Sequence, residues 1–119
     1  MTCPEPPEAF YPAVEAFNAG RFFECHEILE DALWRPERDP ARRAFYQGLI
    51  QIAVGYHHAH RDNRLGARRL LARGAQRLAA CGFADGYAWI DAPSFLAGVR
   101  TTLAAITGGE NELNPPLRF

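Results

Sequence analysis

His26 and Glu30 stand one helical turn apart in the segment Phe22-Phe23-Glu24-Cys25-His26-Glu27-Ile28-Leu29-Glu30-Asp31-Ala32-Leu33-Trp34. At about 100° per residue both fall inside the apolar arc of that helix, among Phe22, Phe23, Cys25, Leu29, Ala32, Leu33 and Trp34. Glu24, Asp31 and Arg35 project to the opposite side, and Glu27 lies at the border. An imidazole and a carboxylate taken out of water must be paired, hydrogen-bonded or metal-bound. The segment therefore poses a chemical demand that other elements have to meet.

Two answers are open. His26-Glu27-x-x-Glu30 differs by one residue from the His-Glu-x-x-His pattern of zinc proteases, in which ligands at i and i+4 converge and the intervening Glu acts as general base towards a metal-bound water. On that reading His26 and Glu30 hold a divalent ion (Zn, Fe or Mn), His58 is the third ligand, and Glu27 handles protons. The other answer is a metal-free network in which Gln47, Gln51 and His58 satisfy His26 and Glu30. In both, Phe22, Phe23 and Trp34 line the cluster. Ferritin-like di-iron chemistry is disfavoured because Glu-x-x-His does not occur. A Ser-His-Asp order, a nucleophile elbow, a Walker loop and a dinucleotide fingerprint are also missing from the sequence.

The elements that must position these residues read as helices. Glu8 to Asn18 is the first, closed by Gly20, and Arg21 to Arg35 is the second, stopped by Pro36. Asp39 as N-cap and Pro40 at the first helical position open a long third helix to about His60, broken by Asp62-Asn63. Leu65 to Cys81 forms a fourth, ending before Gly82. Asp91-Ala92-Pro93 starts a fifth that runs to about Ile106. No period-2 alternation supports a sheet. A weak echo between the second and fourth helices, Phe22 with Leu65, Ile28 with Leu71 and Ala32 with Ala75, fits antiparallel helical hairpins but lacks a full repeat signature.

The third helix is apolar nearly all round. Phe45, Leu49, Ile52 and Tyr56 cover one side and Tyr46, Ile50 and Ala53 another, so it belongs in the middle. Its polar stripe is Gln47, Gln51 and His58, flanked by Ala44, Gly48, Gly55 and Ala59, small residues that allow a close neighbour. The expected neighbour is the His26/Glu30 face of the second helix. His57 and His60 project away from the stripe and are expected to be exposed or at the helix end. Tyr46, Tyr56, Phe45 and Trp89 read as core.

With 119 residues, 48% hydrophobic content and a net charge of −1, the chain fits one domain with one core and has no overall pull towards nucleic acid or anionic membrane. Residues 1–7 and 109–119 read as extended termini. Arg61, Arg64, Arg68, Arg69, Arg73 and Arg77 make a basic face on the fourth helix, read as solvated or paired with Glu24, Glu27 and Asp31 rather than as a nucleic-acid surface. Cys3, Cys25 and Cys81 lack disulfide or metal spacing, and Cys25 is expected to be a small buried hydrophobe. The start has neither a basic nor an apolar leader region, and no apolar run approaches a membrane span, so a cytoplasmic protein is expected.

Phe17-Asn18-Ala19-Gly20-Arg21-Phe22-Phe23-Glu24-Cys25-His26-Glu27-Ile28-Leu29-Glu30 through Trp34, then Phe45-Tyr46-Gln47-Gly48-Leu49-Ile50-Gln51-Ile52-Ala53, His58, Gly66-Ala67 and Leu70-Leu71, closely resemble the domain of unknown function 309 family. The likeness covers about Ala16 to Leu78. It implies a small all-helical protein of a group catalogued as predicted metal-dependent hydrolases without an established substrate. The family motif positions matched are His26, Glu27, Glu30, Trp34, Gly48, Gln51 and His58; Cys25 stands where alanine is more usual.

The expectation is an all-α, single-domain antiparallel bundle of about five helices around a buried third. Two functions follow: a metal-dependent hydrolase acting on a small molecule, or a non-enzymatic helical interaction module whose His/Glu/Gln cluster is structural. A fold of this size could also form a homo-oligomer to finish burying its aromatics.

Overall fold

Breakers and caps divide the chain where their chemistry requires. In the computed structural model, which describes residues 5–81 and 89–108, five helices follow one another and no strand occurs among the described residues. They are α1 (Phe10–Asn18), α2 (Phe22–Ile28, prolonged by a π-helical segment Leu29–Trp34), α3 (Pro40–His60), α4 (Arg64–Ala80) and α5 (Ala92–Gly108). The expectations for the first four residues, for Gly82 and the loop to 88, and for the tail from 109 lie outside the described residues.

Gly20 closes α1 with φ +80, a left-handed conformation that glycine adopts without steric penalty. Asp39 accepts a hydrogen bond from the Arg42 amide at 2.8 Å and caps α3, with Pro40 at its first position. Asn63 does the same for α4, accepting from the Gly66 amide at 3.0 Å. The turn between these two long helices therefore both breaks one and starts the next.

One departure from the expected helices matters. From Leu29 to Trp34 the second helix widens to i→i+5 bonding, and the Arg35 amide donates to the Glu30 carbonyl at 2.9 Å. A wider spiral turns less per residue. Ala32, placed in the apolar arc by 100° periodicity, is rotated out and exposed, while Leu29 and Leu33 remain buried.

As its composition requires, α3 lies at the centre. Phe45, Tyr46, Leu49, Ile52, Ala53 and Tyr56 are all buried. Phe10 of α1 stacks on Phe45, and Phe17 meets Tyr56 edge-on. Tyr56 reaches α5, where its hydroxyl lies 3.0 Å from Thr102 Oγ1, which in turn donates to the Gly98 carbonyl. The densest packing is with α4, whose buried face is Ala67, Leu71, Gly74, Ala75 and Leu78. A Cβ on Gly48 would meet Leu78 N at 3.2 Å, and one on Gly74 would meet Gly48 O at 2.8 Å. The small residues of α3 thus admit a close neighbour, but that neighbour is α4 and not the second helix.

Candidate functional site

The fold separates the proposed cluster into three groups. His26 and Glu30 do meet: Nε2 of the imidazole lies 3.1 Å from a carboxylate oxygen of Glu30, with side chains 21% and 34% exposed. The other ring nitrogen, Nδ1, faces the Phe23 carbonyl at 3.3 Å. Both partners are acceptor oxygens, towards which a ring N–H donates. Glu30 also receives Arg35 at 3.4 Å, while Arg35 binds Asp31 at 2.9 Å.

Gln51 faces the other way. It accepts a hydrogen bond from Arg77 of α4 at 3.2 Å, and Gln47, on the same stripe, is half-buried. The reason is the close α3–α4 contact just described: the polar stripe and its flanking small residues turn together, so both go to α4. His58 forms a third group. Its Nδ1 lies 3.3 Å from the side-chain nitrogen of Asn63, at the turn into α4. The buried His/Glu/Gln cluster between the second and third helices is therefore not formed, because α2 meets a different face of α3.

What α2 does meet is Phe23 against His57. Phe23 is 53% exposed, and its ring lies 5.2 Å from His26 and 5.4 Å from His57, so an outward aromatic touches two imidazoles from different helices. His57, expected to point away, is the histidine of α3 in this group. Burial, then Arg61, His58, His26 and His60 in decreasing order, lower its pKa from the ordinary value. His60 packs edge-on against Phe22, which is 2% exposed and belongs to the core with Phe17 and Tyr56. Glu27 is exposed. Trp34 is half-buried at the far end of the π segment, with the Arg43 guanidinium 4.2 Å over its ring and an indole N–H that is buried without a hydrogen-bond partner. Cys25 is fully buried, and burial, followed by Glu24, pushes its thiol up to about 12, the opposite of nucleophile activation.

A metal centre of the expected kind needs three converging ligands. Two are brought together, His26 and Glu30; His58 is held at the turn with Asn63. Among the described residues no group of three His, Cys, Asp or Glu side chains is arranged to hold a metal ion. The residues do not fit the group that the resemblance implies, and no catalytic step is derived through one. Sequence reasoning missed Phe23 as an exposed residue and His57 as its partner. The only signal was the one-residue step from His58 to His57, which is a 100° rotation that only the helix-packing azimuth resolves.

An all-helical bundle with a surface His–Glu pair and an outward phenylalanine is the class these observations define. A family profile described as domain of unknown function (DUF309) matches residues 10–70, and the chain belongs to that family. Similar proteins include the uncharacterised protein YpuF of Bacillus subtilis (strain 168), 40% identical over 75 residues that cover 62% of this chain and 42% of YpuF. An uncharacterised protein of Aquifex aeolicus (strain VF5) is 28% identical over 109 residues, covering 92% of this chain and 31% of that protein. The chain thus spans less than half the length of either relative. Among the described residues no helix is long and apolar enough to cross a membrane.

Proposed function

We propose that this chain is a non-enzymatic helical binding module whose docking face is Phe23 flanked by His26 and His57. Its occupant is a basic segment of a partner protein carrying one apolar anchor. The observation that carries the reading is the exposure of Phe23 on two imidazoles from different helices, an aromatic of the kind enriched at protein–protein interfaces held in water although a deep core lies within one residue of it. Charge supports the sign of the partner: residues 1–39 hold nine acids against three arginines, and Glu24, Glu27 and Glu30 lie on the same helix as Phe23. The competing reading, a metal-dependent hydrolase using His26, Glu30 and His58 with Glu27 as base, draws support from the His26–Glu30 pair alone.

Anisotropy of a labelled amphipathic helix made of leucine and lysine, titrated with the untagged protein, tests the proposal. Binding should survive chelator and fall about tenfold or more in Phe23→Ala, as loss of an interface anchor does. Binding equal in Phe23→Ala would overturn it. So would stoichiometric metal in protein purified without chelator, lost on His26→Ala together with a hydrolytic activity.

A further inference from the structure

The exposed face of α4 points to a second surface, independent of the first. We propose that it docks the phosphate backbone of duplex DNA. Within Arg64–Ala80 there are five arginines, Arg64, Arg68, Arg69, Arg73 and Arg77, and no acid. Arg69, Arg73 and Arg77 follow one another at four-residue intervals, a row rising about 6 Å per step along the helix. All are exposed, because Ala67, Leu71, Gly74, Ala75 and Leu78 bury the other side against α3.

The net charge of −1 conceals a strong division. Residues 40–80 carry eight arginines and the single acid Asp62, against the acidic excess of residues 1–39. Two acids of the second helix are used elsewhere: Glu24 binds Arg21 at 2.6 Å and Asp31 binds Arg35 at 2.9 Å, each arginine flanking that helix. Among the described residues no ion pair engages Arg68, Arg69 or Arg73. An ordinary solvated helix mixes both signs, because like charges four residues apart destabilise it. Here the repulsion is retained, as a surface facing a polyanion would retain it.

The surrounding chemistry selects among polyanions. Single strands are held by stacking on exposed aromatics, and the large apolar side chains exposed in the described structure are Tyr11, Phe23 and Leu65, none of them an aromatic on α4. A membrane-surface helix needs an apolar face to insert, and α4 has already buried its own on α3. The acidic face of a second copy is complementary too, but its Glu24 and Asp31 are already paired with Arg21 and Arg35, and self-association is one of the outcomes of the test below. Duplex phosphate, a dense row of anions facing the four-residue arginine row, is the occupant these observations favour. With Gln76 as the one amide side chain on α4, the contact reads backbone charge and not base sequence.

Anisotropy of a short labelled DNA duplex against the full chain, repeated from low to physiological salt, tests this. Binding at low salt should weaken with a slope of log K on log salt of about −2.7 to −4.5, as expected for three to five neutralised phosphates. The double variant Arg69→Gln/Arg73→Gln, checked by circular dichroism, should lose at least tenfold in affinity and reduce the slope by about 2. Absence of binding at low salt overturns the proposal, as does binding that the folded double variant retains. Equal affinity for single strands, for phosphatidylserine vesicles, or salt-sensitive self-association removed by the same variant would assign the face to another occupant and refute it.

Discussion

Replacing Gly74 by alanine should destabilise the fold, although alanine is the better helix former. The added Cβ would lie 2.7 Å from Ile52 Cγ1, 2.8 Å from Gly48 O and 3.0 Å from Ile52 N. Two of these are backbone atoms of α3, so a rotamer change cannot relieve the clash and the two helices must separate. Overpacking of this kind costs about 1–3 kcal/mol, and the backbone contacts put it in the upper part of that range. The gain in helix propensity returns about 1 kcal/mol, leaving a net loss of about 1–2 kcal/mol. Gly48→Ala is the internal control. Its Cβ would meet Leu78 N at 3.2 Å, Gly74 O at 3.3 Å and Leu78 Cα at 3.4 Å, so a few tenths of an ångström suffice and propensity should nearly cancel the strain. Urea unfolding followed by circular dichroism reads both: the midpoint of Gly74→Ala should fall by about 0.5–1 M and that of Gly48→Ala should hardly move. A Gly74→Ala protein as stable as Gly48→Ala would refute the claim that α3 and α4 are in backbone contact there.

Two further outcomes follow from single groups. The Tyr46 hydroxyl is buried without a hydrogen-bond partner, and burial pushes its pKa up to about 12, so Tyr46→Phe should raise stability by about 1 kcal/mol, seen as a higher Tm; a lower Tm would mean that the hydroxyl is satisfied. His57 has a lowered pKa in the folded state, so the unfolded chain binds its proton at a higher pH than the fold does. The contribution of His57 to stability is therefore full above the ordinary imidazole range and declines as pH falls through about 6.5. Comparing His57→Gln with the parent by urea unfolding across pH 5 to 8 should show a flatter profile in the variant, and parallel profiles would contradict the assignment.

The placement of the helices was legible because each boundary has a local cause. Asp39 and Pro40 start α3, Gly20 closes α1, and Asp62-Asn63 separates α3 from α4 through backbone and side-chain chemistry that needs no tertiary partner. The burial of Phe45, Leu49, Ile52 and Tyr56 was legible for a similar reason, since periodicity fixes which residues share a face. The π segment was not, because i→i+5 bonding leaves no mark on a 100° projection, and Ala32 moved out of the arc as a result.

His26 and Glu30 were found together because i and i+4 on one helix are neighbours whatever surrounds them. Their remaining partners were decided by azimuth. Gly48 and Gly55 let some helix approach α3 closely, and sequence alone allowed either the second or the fourth to do so. Gly74, whose carbonyl lies opposite Gly48, gives that contact to α4, taking Gln51 with it to Arg77 and leaving His57 rather than His58 beside Phe23 and His26. Residue spacing along each helix sets which side chains share a face. Which neighbour a face meets is settled by packing, because rotation of a helix about its axis follows the steric fit of two surfaces and not the periodicity of one.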